Sequence, residues 1–296
     1  MTPEQILAIP PRVLTQSQRE SYFSEGYILL EAIIGSEWIN KLRDATDEMI
    51  ERSRKVTKSD TIFDLEPDHR PDSPRLRRVS NPTEHHPVFW DYVNKSVMPD
   101  AVADLVGPDV KFHHSKLNFK WKQGGEEVKW HYDISFWPHT NYSPVTIGTY
   151  LYDCGMGQGP LGVIPQSHLL DDPMLSQYDE QGRWVGCLSE RDVARLNPQR
   201  AVYLTGPAGS LTLHNCRTVH GSPRNDSDLG RCVSVYGQSD QTKARPSHHS
   251  RQARCVRAPR SAPVPDSAGL VGRLYVHLFV AAGRGCQGGE RRNDVM

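Results

Sequence analysis

The chain lacks a surplus of either charge: its 296 residues carry 35 Lys and Arg against 35 Asp and Glu, for a formal net charge of +0. That balance excludes the basic footprint of a nucleic-acid-binding domain and an acidic solvating tail. No uninterrupted run of about 18 apolar residues occurs, so nothing reads as a membrane-spanning helix. The opening Met1-Thr-Pro-Glu-Gln lacks the basic stretch and apolar run of an export signal. None of the six cysteines (Cys154, Cys187, Cys216, Cys232, Cys255 and Cys286) stands in C-x-x-C spacing. A zinc site or redox pair is therefore not expected, and free thiols in a reducing cytoplasm are. There is no internal repeat. What is present is a chain 37% hydrophobic, long enough for one large domain.

Helices dominate the first third. Thr15 can cap a helix that begins there, Gln18 can reach back to close a capping box, and Gly26 can supply the left-handed stop. Tyr27–Leu30 then reads as a strand. Ser36 is placed to cap a second helix, whose apolar positions Trp38, Leu42, Ala45 and Met49 share one face. Residues 52–80 are polar and rich in charge and proline, and read as a long loop. A third helix is expected from Pro87 and a fourth over Met98–Val106, ending at Gly107-Pro108.

Beyond residue 110 the pattern changes to short β-branched and aromatic runs: Val110–Trp121, Pro144–Tyr152, Leu161–Ile164, Ser210–His214 and Arg231–Gln238. Gly, Pro, Asn and Asp separate them. This predicts a mainly β fold with N-terminal helices, a jelly roll or barrel. The domain is expected over 1–242, with a helical part at about 14–106 and a β core at about 110–240. Residues 243–296 differ from everything before them, with much Arg, Ala, Pro and Gly and little periodicity. They read either as a disordered natural tail or as the product of a shifted reading frame.

The strongest local signal is Trp130-His131-Tyr132-Asp133. On a strand, His-x-Asp puts an imidazole and a carboxylate on one face, because side chains alternate with period two. His220, in Thr218-Val-His-Gly-Ser222, can supply a second imidazole, and two His with one carboxylate is the facial set of non-haem Fe(II) oxygenases. Each piece alone has a bland reading: a solvated pair, or a core or surface histidine. Arg231 follows His220 by eleven residues in a β run. A guanidinium in an apolar strand needs an anion, and the far carboxylate of 2-oxoglutarate suits its bidentate fork. Pairing with Asp240, or an exposed edge position, would serve equally. His214 is the competing histidine, and reads as a satisfied strand-end residue.

Taken together, Leu14–Glu31, Trp130-His-Tyr-Asp133, Gly159-Pro-Leu-Gly-Val-Ile-Pro-Gln-Ser-His168 and His220-Gly-Ser222 with Arg231 resemble the phytanoyl-CoA dioxygenase family, including its ectoine-hydroxylase-like members. The resemblance spans about residues 14–240. It implies a double-stranded β-helix, related to the cupins. It implies Fe(II) on His131, Asp133 and His220, and 2-oxoglutarate held at C5 by Arg231 and Ser222. It also suggests co-substrate contacts at Asn118 and Thr149, and substrate contacts at His114 and Trp137. Two departures stand out: Gln166 replaces the family's usual Gly before Ser-His, and Gln158-Gly159 replaces Asn-Gly.

The implied reaction uses O2 and 2-oxoglutarate to hydroxylate an unactivated C–H bond of a small organic substrate, releasing succinate and CO2. The carboxylate at Asp133 favours hydroxylation over halogenation. A cupin-type metalloenzyme that does not use 2-oxoglutarate, or a jelly-roll binding protein, would share many of these features. Succinate formation separates them. No nucleic-acid or membrane partner is expected, and the sequence does not set an oligomeric state.

Overall fold

A computed structural model of the chain describes residues 1–122, 125–136, 141–170, 177–229 and 231–239, the last segment by its backbone alone. The expected tail, residues 243–296, lies outside the described residues, as does Trp137. Among the described residues two antiparallel sheets face each other, as a jelly roll requires. The larger sheet is ordered β1 (Tyr27–Leu30), β9 (Leu211–Asn215), β6 (Val145–Tyr150), β11 (Arg231–Ser239), β4 (Lys111–Lys120), β3 (Leu76–Ser80), β2 (Phe63–Leu65). The smaller is ordered β5 (Val128–His131), β10 (His220–Ser222), β7 (Leu161–Val163), β8 (Val202–Leu204). Strands β2 and β3 lie inside the stretch expected to be a loop. Their charged, proline-flanked sequence hides a short edge hairpin, and charge on an edge strand is ordinary.

Helices cover the outer face of the large sheet. They are α1 (Pro3–Leu7), α2 (Gln16–Glu25), α3 (Ser36–Ser53), α4 (Pro82–His85), α5 (Pro87–Lys95) and α6 (Met98–Val106), with α7 (Glu190–Arg195) later in the chain. Helix α2 carries the anticipated capping box, with Thr15 and Gln18 bonding reciprocally, and ends at Gly26 with φ 87°. The cap of α3 differs from expectation: Gly35 occupies that position, and no side-chain cap bond forms. The main core joins these helices to the sheet. Leu42 and Met49 of α3, Phe89 and Tyr92 of α5, and Met98 and Leu105 of α6 pack with Leu117, Ile147, Leu211 and Leu213 of the sheet. The even-spaced sheet residues among these fix which face is buried, and hence which face is left for the barrel interior.

A knot of polar contacts joins the first helix–strand corner to the approach of β10. Thr218 donates its hydroxyl to the Gly26 carbonyl at 2.7 Å, and a His168 ring nitrogen lies 3.0 Å from the Phe23 carbonyl. Ser167 donates to the Ile164 carbonyl and accepts from the Val219 amide at 2.8 Å. The Ile-Pro-Gln-Ser-His segment thus holds the residue just before His220 in place. Cys154 and Cys216 are free and buried, but Cys187 is disulfide-bonded, so the expectation of six free thiols is corrected. No helix among the described residues is long and apolar enough to cross a membrane.

Candidate metal centre

Register puts the two imidazoles together. His220 and His131 are direct cross-strand partners on β10 and β5, and their ring centroids are 4.2 Å apart. The ring nitrogen Nδ1 of His131 donates to the Lys129 carbonyl at 2.8 Å, and that of His220 to the Thr218 carbonyl at 2.9 Å. A carbonyl can only accept, so these bonds commit the N–H to Nδ1 and leave a lone pair on each Nε2. Both Nε2 atoms face Asp133 Oδ1, at 3.9 Å and 3.7 Å. Those separations are too long for hydrogen bonds. The three ligand atoms lie within 4.8 Å of one another, on three buried residues. A cation coordinated by all three fits this donor set, whereas the bare side chains leave two buried lone pairs and a carboxylate oxygen facing each other.

Asp133 is not on the strand, as the alternation argument assumed. β5 ends at His131, and Asp133 opens a short 3-10 turn over Asp133–Ser135. Tyr132 is extended at φ −131°, ψ 147°, which preserves the same-face relation for one more step. The Ile134 amide then bonds the Cys216 carbonyl at 2.9 Å and pins the turn against the end of β9. The remaining carboxylate oxygen, Oδ2, accepts from Thr146 Oγ1 at 2.6 Å. His214 Nε2 lies 3.5 Å from the same oxygen, and the His214 ring is 4.2 Å from that of His220. Neither ring nitrogen of His214 has a hydrogen-bond partner, which corrects its reading as a satisfied strand-end histidine. Burial alone would raise the Asp133 carboxyl, but His220, His214 and His131 around it hold it well below the ordinary range. Burial pushes the His131 imidazole down. Burial, followed by the neighbouring imidazoles His131 and His214, pushes His220 down further. Neutral imidazoles beside an ionised carboxylate are the protonation state a metal needs.

The other sequence-derived positions divide by strand face. Thr146 and His214 are cross-strand partners on the interior face. Thr149 is three residues on and points the other way. Its hydroxyl bonds Tyr92 Oη of α5 at 2.8 Å, in the helical layer, so its expected co-substrate contact is corrected on simple parity. Asn118 lies opposite Arg78 of β3 and Val233 of β11. His114 belongs to a bulge: β4 takes three steps from Phe112 to Ser115 while β11 takes two, from Gln238 to Tyr236. Its Nδ1 is 2.8 Å from that of His113. Burial, followed by His113, lowers the His114 imidazole, which lies in electrostatic reach of Asp133. Arg231 begins β11 opposite Lys120; its side chain lies outside what is described. Lys120 was missed in the sequence. Its ammonium donates to the Ser222 carbonyl at 3.3 Å and to that of Pro223, tying β4 to β10 beside Ser222. The parity Asn118, Lys120 was the available signal.

Comparison with known proteins agrees with this geometry. The profile of the phytanoyl-CoA dioxygenase (PhyH) family matches residues 22–233. The chain belongs to the phytanoyl-CoA dioxygenase family. It is 30% identical over 234 residues to a probable alpha-ketoglutarate-dependent hypophosphite dioxygenase of Stutzerimonas stutzeri, covering 76% of this chain and 78% of that protein. It is 26% identical over 232 residues to the ectoine dioxygenase of Sphingopyxis alaskensis, covering 74% and 73% of the two chains. The crystal structure of EctD from S. alaskensis with 2-oxoglutarate and 5-hydroxyectoine matches with a TM-score of 0.65 at 22% identity, over 86% of this chain and 92% of that one. The last likeness establishes the shared fold. With its family and its buried His-Asp-His cluster, this PhyH-family chain is a 2-oxoglutarate-dependent non-haem iron oxygenase.

Proposed function

We propose that the chain hydroxylates a small polar metabolite, with iron held by His131, Asp133 and His220 and with the C5 carboxylate of 2-oxoglutarate held by Arg231 and Ser222. The observation that carries this reading is the convergence of two committed Nε2 lone pairs and Asp133 Oδ1 within 4.8 Å. Iron bound there supplies oxygen activation coupled to decarboxylation of 2-oxoglutarate to succinate and CO2. The chain's own part is orientation and exclusion of water. His131, Asp133 and His220 are 4%, 3% and 6% exposed, and Thr146 fixes the carboxylate so that Oδ1 faces the imidazoles. Asn118 lies on the strand face between the metal end and the Lys120–Arg231 row, where the co-substrate chain would run. His114 is the substrate-side candidate, since it is buried and near Asp133. The relatives' names, hypophosphite and ectoine dioxygenases, support a small polar substrate.

The test is anaerobic addition of Fe(II) and 2-oxoglutarate, which is expected to give the weak visible charge-transfer band of an iron-bound 2-oxo acid, followed by succinate release on admitting O2. Iron binding without the band or succinate would sink the reading. Arg231→Lys keeps the charge and loses the fork. A charge-assisted bond of roughly 1.5–3 kcal/mol sets the expected rise in the 2-oxoglutarate KM at about ten- to a hundredfold, with the substrate KM little changed.

A further inference from the structure

Among the described residues, the buried ammonium of Lys116 has no protein anion bonded to it. Lys116 is 7% exposed on β4, and its ammonium makes no hydrogen bond or ion pair with any described residue. Cross-strand register fixes its face. Lys116 and Gly148 both pair with Val235 of β11. Gly148 is two residues from Thr146 on β6, and Thr146 bonds Asp133. Lys116 therefore sits one row along from the metal cluster, on the same interior face, because directly paired residues and those two apart point the same way. On its other side, Arg78 of β3 pairs with Asn118. Arg78 is 8% exposed, and its Nε has no hydrogen-bond partner; Asp64, its own cross-strand partner on β2, forms no ion pair with it. The wall between the cluster and the Lys120–Arg231 row thus carries two buried positive groups, and the carboxylate in electrostatic reach of Lys116 is Asp133, which the metal site uses.

A buried ammonium without an anion is costly and is retained where a ligand supplies the charge. On the reading above, 2-oxoglutarate spends one carboxylate at the metal and the other at Arg231. We propose that Lys116 receives an anionic group, a carboxylate or small oxyanion, of the primary substrate, with Arg78 adding to the positive potential. The site then selects anionic metabolites over their neutral counterparts. Burial, followed by Arg78, lowers the Lys116 ammonium to about 7, and an anion seated beside it favours its charged form.

The experiment uses the full chain, kept anaerobic and loaded with Mn(II) and 2-oxoglutarate, and titrated calorimetrically with a panel of small anions. The panel holds hypophosphite and free amino acids, with the corresponding amino-acid amides as controls that lack the carboxylate. The proposal expects at least one member bearing a carboxylate or oxyanion to bind, and an amino acid that binds to do so at least about tenfold more tightly than its amide. Lys116→Met should weaken that binding by about ten- to a hundredfold, while Lys116→Arg retains most of it and 2-oxoglutarate binds all three proteins alike. Retained 2-oxoglutarate binding also shows that the Met variant folds. Equal anion binding by the Met variant, failure of every anion to bind the wild type, or a loss falling on 2-oxoglutarate instead would each overturn the assignment. Absence of 2-oxoglutarate binding in the wild type would instead overturn the reading of the site itself.

Discussion

At the scale of single residues, His131, Asp133 and His220 were legible because the motif brings sequence neighbours and one recurring partner together. Thr146 and His214 were not, because nothing along the chain reveals that β6 and β9 aim them at Asp133 Oδ2. Thr149 was misplaced for the same reason: only the register shows that it faces Tyr92. These roles separate by mutation. His131→Ala, Asp133→Ala and His220→Ala are each expected to abolish stoichiometric Fe(II) binding, and His214→Ala to retain it; equilibrium dialysis reads both. Were His214 essential and His220 dispensable, the ligand assignment would be wrong. Thr146→Val leaves the ligands but frees the carboxylate to turn, so metal affinity should fall by about ten- to a hundredfold. Lys116 gives a separate signature in the metal-free protein. Arg78 on β3, His114 on β4, His131 on β5 and Asp133 on the facing turn are the charged or titratable groups in its reach among the described residues. Its native value, about 7, lies below the unfolded value of 10.5, so the unfolded chain binds the extra proton between these limits. The native state is therefore penalised as pH falls from about 10.5 toward 7, and the penalty is constant below that. Relative to Lys116→Met, urea stability should rise between pH 7 and pH 9.5, by an order of a few kcal/mol at most. Parallel pH profiles would show that Lys116 is solvated.

At the scale of elements, local chemistry predicted what is local. The Thr15–Gln18 box, the Gly26 stop and the Met98–Val106 helix follow from caps and periodicity. The edge hairpin of β2 and β3 does not, since its pairing with β4 is what makes it a strand. The Gly159–His168 segment shows both levels. Gly159 has φ 68°, and a Cβ there would meet the Pro223 carbonyl oxygen at 2.4 Å; glycine is required by both backbone and space. Gln166 also lies in the left-handed region, at φ 63°, and this explains why the family favours glycine there. A side chain in that conformation costs roughly 1–2 kcal/mol, partly offset by the 3.2 Å contact of Gln166 Nε2 with Glu25. Gln166→Gly is therefore expected to raise urea stability, by about 0.5–1 kcal/mol after the greater entropy of glycine is subtracted. Gly159→Ala should lower it by more than 1 kcal/mol. The opposite order in these two denaturation curves would refute the left-handed assignment at Gln166.

At the scale of the whole molecule, the metal cluster is where the two sheets meet. His131 and His220 belong to the small sheet, whereas Asp133 is held by Thr146 and approached by His214 from the large one. Elsewhere the sheets are joined by Lys120 reaching the carbonyls beside Ser222 and by Tyr150 Oη donating to the Leu204 carbonyl at 2.5 Å. The apolar filling is uneven. Among the described residues the large sheet packs mainly outward onto the helices, and the loops flanking the small sheet share a smaller cluster of Tyr132, Ile164, Leu188 and Val219. A sandwich whose two sheets both reach the metal cluster should gain cohesion from a cation that ties the layers together. Ligand linkage contributes about 2.7 kcal/mol at a hundredfold excess over Kd. For a chain of this size each kcal/mol moves Tm by roughly 2–4 °C, so saturating Mn(II) under anaerobic conditions should raise Tm by about 5–10 °C. A chelator should reverse the shift. Asp133→Ala should lose it, because the variant removes the one ligand held by the opposite sheet. The decisive comparison is Thr146→Val measured at a Mn(II) concentration rescaled to its own Kd. If the cation bridges the layers through Asp133, local opening of the small sheet, followed by amide exchange in β5 and β10, should slow less on metal binding in this variant than in the wild type. Equal protection in the two proteins would mean that the metal stabilises the small sheet alone.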